Sequence, residues 1–415
     1  MALLNWLYLD LNSYFASVEQ QLQPELRNRP VAIVPTITDA TCAIAASYEA
    51  KAYGIKTGTM IYEAKKLCPQ IICVEARHKN YVDYHHKILE EIDKHIHISV
   101  IASIDEVACK LSKKQNNIRR AIVLAQNIKE GIKENVGHYI RCSIGIAPNR
   151  FLAKTASNLE KPDGLQVLYE KDIPLRISHL KLSDLTGIGK GIEKRLINSG
   201  ISSIESLYNI SPKHMRKIWG SVNGERFWYM LRGVEIENNK TERKTVGHSH
   251  VLAPEWRPII QARKVLRRLL LKTTNRLRRI EYHSSSLQIS ISIEKGAKIK
   301  RKCKFNYTHD NFTILKHAME LWKNIIEDHR PDRIKKISIT LYNLKKTSDI
   351  HPSLFENFKT ENKSQKSRYQ SLSSAMDKIN FRFGKDSITL GNTTDKVVNT
   401  KVAFTRIPEK EEFKE

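Results

Sequence analysis

Three carboxylates open the question of chemistry. Asp105 and Glu106 are adjacent in Ala-Ser-Ile-Asp-Glu-Val-Ala-Cys (residues 102–109), and Asp10 ends the apolar run Trp6-Leu7-Tyr8-Leu9-Asp10. Adjacent acids repel, and burial penalises the ionised form of each. A divalent cation reverses that cost. Three carboxylates at strand ends would hold two Mg²⁺ ions, an arrangement suited to in-line phosphoryl or nucleotidyl transfer. Taken alone, Asp105-Glu106 reads first as a solvated turn between strands, so other motifs must decide.

Four further signals follow in chain order. Tyr48 and Lys51, in Ser-Tyr-Glu-Ala-Lys-Ala-Tyr-Gly, are three residues apart on a helix and share a face, so both would meet a triphosphate. Arg141-Cys-Ser-Ile-Gly-Ile-Ala147 reads as a strand turning into a helix that carries Lys154. Lys161-Pro-Asp-Gly164 makes a tight turn with Lys161 beside it. Leu185-Thr-Gly-Ile-Gly-Lys-Gly191 resembles a helix-hairpin-helix turn, in which Gly187, Gly189 and Lys190 let backbone N–H groups approach a phosphate. An amphipathic helix and a plain glycine-rich connection are the ordinary readings of the first and last.

The elements that must position these residues alternate. Strands are expected at 5–11, 31–34, 42–46, 101–111 (a pair carrying the acids) and 140–146, with helices from Tyr14, near Tyr48, and over 80–96 and 119–134. The first 170 or so residues therefore read as an α/β domain with an inserted lobe. Residues 174–234 have helical periods and no strand candidate, and a polar stretch from Glu235 reads as a linker. Residues 245–343 read β-α-β-β-α-β, with strands 246–252, 286–294, 303–308 and 336–344 and helices 258–280 and 312–327. A polar, lysine-rich tail follows, with one late helix over 372–383. No internal repeat is visible.

The chain has 415 residues, enough for several cores, and a net charge of +26. Residues 244–343 hold 22 Lys and Arg against 8 Asp and Glu, a net +14, so over half the excess lies in under a quarter of the length. That concentration favours a polyanionic partner. Lys298-Ile-Lys-Arg-Lys-Cys-Lys304, beside an alternating strand at 287–293, would track a phosphate backbone through Lys300, Arg301, Lys302 and Lys304. A membrane partner is disfavoured, since no apolar run approaches the ~18 residues of a span. The N-terminal residues lack a basic region and read as a strand, not a signal peptide. Six scattered cysteines without a Cys-x-x-Cys pair argue against structural zinc or a disulfide framework and for a reducing cytoplasm.

In this order the motifs closely resemble those of a Y-family (translesion) DNA polymerase of the DinB/UmuC group, over about residues 5–343. The carrying segments are Asp-Leu-Asn-Ser-Tyr-Phe-Ala-Ser-Val-Glu (10–19), Ser-Ile-Asp-Glu (103–106), Ser-Ile-Gly-Ile-Ala (143–147) and Lys-Pro-Asp-Gly (161–164). The resemblance implies a mixed α/β (α+β) right-hand architecture. The palm would be 1–13 and 80–168, the fingers 14–79, and the helix-hairpin-helix thumb 169–234. A linker over 235–246 would lead to a little finger at 247–344 and a tail at 345–415.

The resemblance also implies roles. Asp10, Asp105, Glu106 and the backbone carbonyl of Leu11 would bind two Mg²⁺ ions, with Mn²⁺ as a possible substitute. Phe15 would be the steric gate against a ribose 2′-hydroxyl. Tyr14, Phe15, Tyr48, Lys51 and Lys161 would contact the nucleotide, and Lys154 would add electrostatic support. Many relatives have Arg at the position of Lys51, and a lysine lacks its bidentate fork and stacking plane. Asn12 stands where several DinB members have a second Asp and is left out of the metal site. The implied function is error-prone, template-directed addition of dNTPs to a primer in translesion synthesis, DNA repair and the SOS response, by a monomer on primer–template DNA. A non-catalytic DNA-binding adaptor is the alternative, although an adaptor needs no carboxylate triad. A nucleotide cyclase has no duplex to hold.

Two tail features remain. Ile350-His-Pro-Ser-Leu-Phe355 resembles the clamp-binding motif of bacterial polymerases, with His351 in place of the usual Gln. Leu354 and Phe355 would fill a pocket on a sliding clamp or pack back onto the little finger, and both readings are open. Residues 376–385 resemble a C-terminal piece of UmuC-like proteins, whose relatives tend to need accessory subunits.

Overall fold

The computed structural model describes residues 4–236, 242–294, 296–350, 360–384 and 387–391. The described residues divide into two compact units, one over 4–236 and the other from 242 on.

In the first unit, β1 (Trp6–Leu11) leads into α1 (Tyr14–Leu22). A lobe follows: β2 (Val31–Val34), β3 (Ala45–Ala46), α2 (Tyr48–Ala52), α3 (Ile61–Leu67) and β4 (Ile72–Glu75). α4 (His78–Asp93) returns to β5 (Val100–Ile101) and β6 (Glu106–Lys110), and α5 (Ile118–Asn135), β7 (Cys142–Ala147), α6 (Arg150–Leu159) and β8 (Leu165–Val167) complete the α/β part. The main sheet has the order β5-β6-β1-β7-β8, and the lobe has its own sheet, β3-β2-β4.

Strand alternation divides the main sheet's two faces. Leu7, Leu9 and Leu11 pack with Val107, Ile144 and Ile146 under α1, α4 and α5. Trp6, Tyr8, Ala108 and Ala147 face the other way, with Leu152 and Ala156 of α6. α6 lies so close on β7 that a Cβ on Gly145 would stand 2.0 Å from the Ala153 carbonyl oxygen. Helices α7 (Lys190–Asn198), α8 (Ile204–Asn209), α9 (Pro212–Trp219) and α10 (Val222–Leu231) extend this second core. Ser203 and Ser211 cap α8 and α9 by accepting from Ser206 N and His214 N.

The second unit comprises β9 (Thr245–Val251), α11 (Ile259–Arg279), β10 (Tyr282–Ile293), β11 (Lys298–Thr308), α12 (Asn311–His329), β12 (Ile334–Lys346) and α13 (Thr360–Arg382). The β-α-β-β-α-β order is as expected, in an antiparallel sheet β11-β10-β12-β9. Leu287, Ile289 and Ile291 bury one sheet face against Leu266, Leu270 and Ile314 of the helices. α13 docks on this helical layer. The Asp377 carboxylate accepts from Arg278 Nε (2.6 Å) and Nη2 (2.9 Å), Ser373 Oγ accepts from Asn311 N (3.0 Å), and Tyr369 stacks on Phe312.

Several expectations shift. The strand foreseen over 42–46 is only Ala45–Ala46, while Cys42 forms an isolated bridge with Met60. β4 and β8 are additions: they are short and lean on neighbours for pairing. β11 starts five residues before Cys303, because pairing with β10 carries the lysines into the ladder. The late helix begins at Thr360, twelve residues before Leu372. The clamp-like Leu354 and Phe355 lie outside the described residues, as does part of the 235–246 linker.

Candidate active site

The pairing register assembles the carboxylates. Asp10 lies opposite Glu106 of β6 on one side and Ser143 of β7 on the other, so the three form one row across the sheet. Asp105 immediately precedes β6, and its carbonyl accepts from Leu11 N at 2.8 Å, which ties the acid loop to the end of β1. Behind the loop, His85 of α4, 1% exposed, donates through Nδ1 to the Ile104 carbonyl at 2.8 Å.

Each carboxylate has its own donor. Lys161 Nζ is 2.7 Å from Asp10 Oδ1, and Lys154 Nζ is 2.7 Å from Glu106 Oε1. The Tyr8 hydroxyl donates to Glu106 Oε2 at 3.0 Å, and Ser103 Oγ donates to Asp105 Oδ1 at 2.5 Å. Burial pushes the Asp10 carboxyl above the usual range; Lys161 opposes that, and the charges of Glu106 and Asp105 add to it. Asp105 is raised for the same first reason, with Ser103 opposing and Glu106 adding.

Three of the nucleotide-contact candidates, Tyr48, Lys51 and Lys161, lie near Asp10. Tyr48 opens α2, whose N-cap Ser47 accepts from Ala50 N, and Lys51 Nζ lies 4.4 Å over the Tyr48 ring. Burial and the negative charge of Asp10 push the Tyr48 phenol up to about 12. Burial and the charge of Lys161 lower Lys51, and Asp10 counters them. Residues from positions 10, 48, 51 and 161 therefore share one electrostatic environment. Phe15 lies in the first turn of α1, stacked on Tyr81 with ring centroids 4.4 Å apart and planes at 12°. Tyr81 is held by its hydroxyl, which donates to Glu19 Oε1 at 2.8 Å, and its carbonyl accepts from the Tyr14 hydroxyl at 2.6 Å.

Among the described residues no three acidic, histidine or cysteine side chains converge as a formed cation shell. The donor set nonetheless fits a hard divalent cation. It consists of carboxylate oxygens only, two of the acids are held above their usual range by burial and mutual repulsion, and lysines occupy the positions where positive charge is favoured.

Two further surfaces carry positive or donor groups. Gly187 has φ +99°, a backbone that favours glycine, and Gly189 is the N-cap residue of α7 with open space where a Cβ would stand. Lys190 is the first residue of that helix. In the second unit, Lys298, Lys300, Lys302 and Lys304 alternate along β11 and are all exposed. Their row continues through Ser292, Ser290, Gln288 and Ser286 to Lys336, Ser338, Thr340 and Tyr342. Arg301 falls on the opposite row, where its guanidinium is 2.9 Å from Asp328 of α12. It is not brought together with the lysines, because strand alternation turns it to the helical face.

Tyr8 and Ser103 bond the carboxylates, Ser143 and Asn12 lie beside Asp10, and Tyr81 stacks on Phe15; the sequence reading assigns none of these five to the site. Alternation alone places Tyr8, two residues before Asp10, on the same face. Tyr81 has no such signal, being joined to Phe15 only through packing.

Residues 9–158 match the impB/mucB/samB family, and residues 243–354 match the impB/mucB/samB family C-terminal domain. A DNA polymerase IV of Moorella thermoacetica is 33% identical over 291 residues, 69% of this chain and 72% of that protein. One from Ureaplasma parvum is 30% identical, covering 84% of this chain and 97% of its own length. One from Clostridium kluyveri is 27% identical over 94% of this chain and 98% of its own. The fold matches that of a Dbh–Dpo4 Y-family DNA polymerase chimera, with a TM-score of 0.68 at 24% identity, over 82% of this chain and 98% of that one. With its carboxylate row intact and both family regions present in order, the chain belongs to the impB/mucB/samB family, the Y-family DNA polymerases.

Proposed function

We propose that this protein is a DNA-directed DNA polymerase of the translesion class, adding dNTPs to a primer 3′-end on a template. The observation that carries the reading is the row of Asp10 and Glu106 with Asp105 beside it, faced by Lys154 and Lys161. Asp10, Asp105, Glu106 and the Leu11 carbonyl would hold two Mg²⁺ ions, which when bound supply a lowered pKa for the primer hydroxyl and positive charge at the leaving pyrophosphate.

This chain's own residues do the rest. Lys161 exchanges its carboxylate partner for a phosphate of the incoming nucleotide, and Tyr48 and Lys51 meet the same triphosphate from α2. Lys51 acts as a point charge. Phe15, backed by Tyr81, closes the space that a 2′-hydroxyl would need. Tyr8 and Ser103 hold Glu106 and Asp105 in place for the cations. The turn at Gly187–Lys190 and the lysine row of β11 contact the phosphate backbone, positioning the duplex without reading its sequence.

The test is primer extension by the purified protein with Mg²⁺ and single dNTPs, beside Asp105→Ala. Template-directed addition that falls to background in the variant, with DNA binding retained, is expected. Equal incorporation by Asp105→Ala would defeat the assignment.

A further inference from the structure

Asn12 sits two residues beyond Asp10, is 2% exposed, and is joined to the Lys161 turn by a closed set of hydrogen bonds. Its Oδ1 accepts from Asp163 N at 2.7 Å, and its Nδ2 donates to Ser143 Oγ at 3.1 Å. Ser143, fully buried, donates to the Glu160 carbonyl at 3.0 Å and accepts from Gly164 N at 3.1 Å. The hydroxyl's one proton and two acceptor positions are thereby used.

These bonds grip both ends of the segment 160–164 and its Asp163 amide. Asp163 itself is left-handed, at φ +61°, and a Cβ on Gly164 would stand 2.2 Å from the Glu160 carbonyl oxygen. The turn is thus shaped by tertiary bonds against an unfavourable local backbone. From it Lys161 reaches Asp10 Oδ1 at 2.7 Å. On the far side, Lys129 pairs with the Asp163 carboxylate at 3.2 Å, an outer tie that leaves the amide to Asn12.

We propose that Asn12, with Ser143, is a positioning residue for nucleotide binding: it fixes the Lys161 turn so that the ammonium meets the triphosphate, while touching no nucleotide itself. The proposal rests on the polymerase reading above and deepens it. Position 12 therefore takes a side chain that accepts from the Asp163 amide, which Asn and Asp both do, although only Asn also donates to Ser143 Oγ, and it needs no role as a cation ligand.

Steady-state single-dNTP incorporation by the full chain tests this, with Asn12→Leu, Asn12→Asp, Ser143→Ala and Lys161→Ala, and the double variants Asn12→Leu/Lys161→Ala and Ser143→Ala/Lys161→Ala. Asn12→Leu should raise KM for dNTP about five- to tenfold, the worth of one well-placed hydrogen bond, with kcat within about twofold. The Lys161→Ala background should erase that increase, since Asn12 acts through Lys161. Asn12→Asp, which keeps the Asp163 bond and loses the donation to Ser143, should give a KM between those of wild type and Asn12→Leu. Unchanged KM in Asn12→Leu, or effects that multiply in the double variant, would overturn the proposal. If Asn12→Leu fails to fold, Ser143→Ala, which cuts the Glu160 and Gly164 bonds, carries the same expectation and the same refutation. A wild-type protein that adds no nucleotide would instead defeat the polymerase reading itself.

Discussion

Acidification should destabilise the first unit through His85. The ring is 1% exposed, its Nδ1 donates to the Ile104 carbonyl, and its Nε2 has no partner among the described residues. Burial, the first cause, pushes its pKa down to about 4, the Ile104 bond opposing and the neighbouring His86 adding. In the unfolded chain the group titrates near ~6.5. Between these values the unfolded state binds the extra proton, so stability rises with pH. The contribution is fully present above the unfolded pKa and is lost as pH falls through the window toward 4. The two values give a loss of about 2 kcal/mol between pH 7.5 and pH 5, approaching about 3 kcal/mol below pH 4. Urea unfolding at pH 7.5, 6.5, 5.5 and 5.0, comparing wild type with His85→Asn, isolates this term from the acids that titrate in both proteins. The stability gap should close or reverse toward the variant by about 2 kcal/mol at pH 5. A gap that is constant with pH would refute the reasoning and mean that the ring titrates in the native state as it does in the unfolded chain.

Other expectations are separable. Phe15→Ala should admit ribonucleotides, raising rNTP relative to dNTP incorporation by about two orders of magnitude; unchanged sugar discrimination would remove Phe15 from the gate. Replacing Lys300, Lys302 and Lys304 together by Ala should reduce the slope of log binding constant against log salt by about 2 to 3, whereas Arg301→Ala should leave it nearly unchanged. Fluorescence anisotropy on primer–template DNA over a salt series checks both. Asp377→Ala leaves the Arg278 guanidinium, 8% exposed, without its bidentate partner. It should cost about 1–3 kcal/mol and make α13 sensitive to limited proteolysis.

Much of the architecture was legible because local signals carried it. The apolar run ending in Asp10, the 3.6-residue periods of α4, α5, α11 and α12, and the alternation at 287–293 each announce an element whose buried face is written in its own residues. The tail helix was legible only from Leu372, because the sequence from Thr360 up to it is almost wholly polar and offers no apolar period. β4 and β8 escaped for a related reason: Ile-Cys-Val-Glu and Leu-Gln-Val are only partly buried and too short to show an alternation, unlike the wholly apolar Val31–Val34.

For the candidate site, residue types and spacing raised Asp10, Asp105, Glu106, Tyr48, Lys51 and Lys161 as candidates against plainer readings as a solvated turn and an amphipathic helix, and only the resemblance carried by the ordered motifs gave them roles. Tertiary structure alone decided what those residues face. Register set Glu106 and Ser143 beside Asp10, packing put Tyr81 behind Phe15, and alternation separated Arg301 from the lysines around it. It also turned Asn12 from a bystander into the anchor of a turn 151 residues away in sequence. Hydrogen bonds and ring contacts between distant segments leave no local pattern, because each depends on where two separate pieces of chain come to rest.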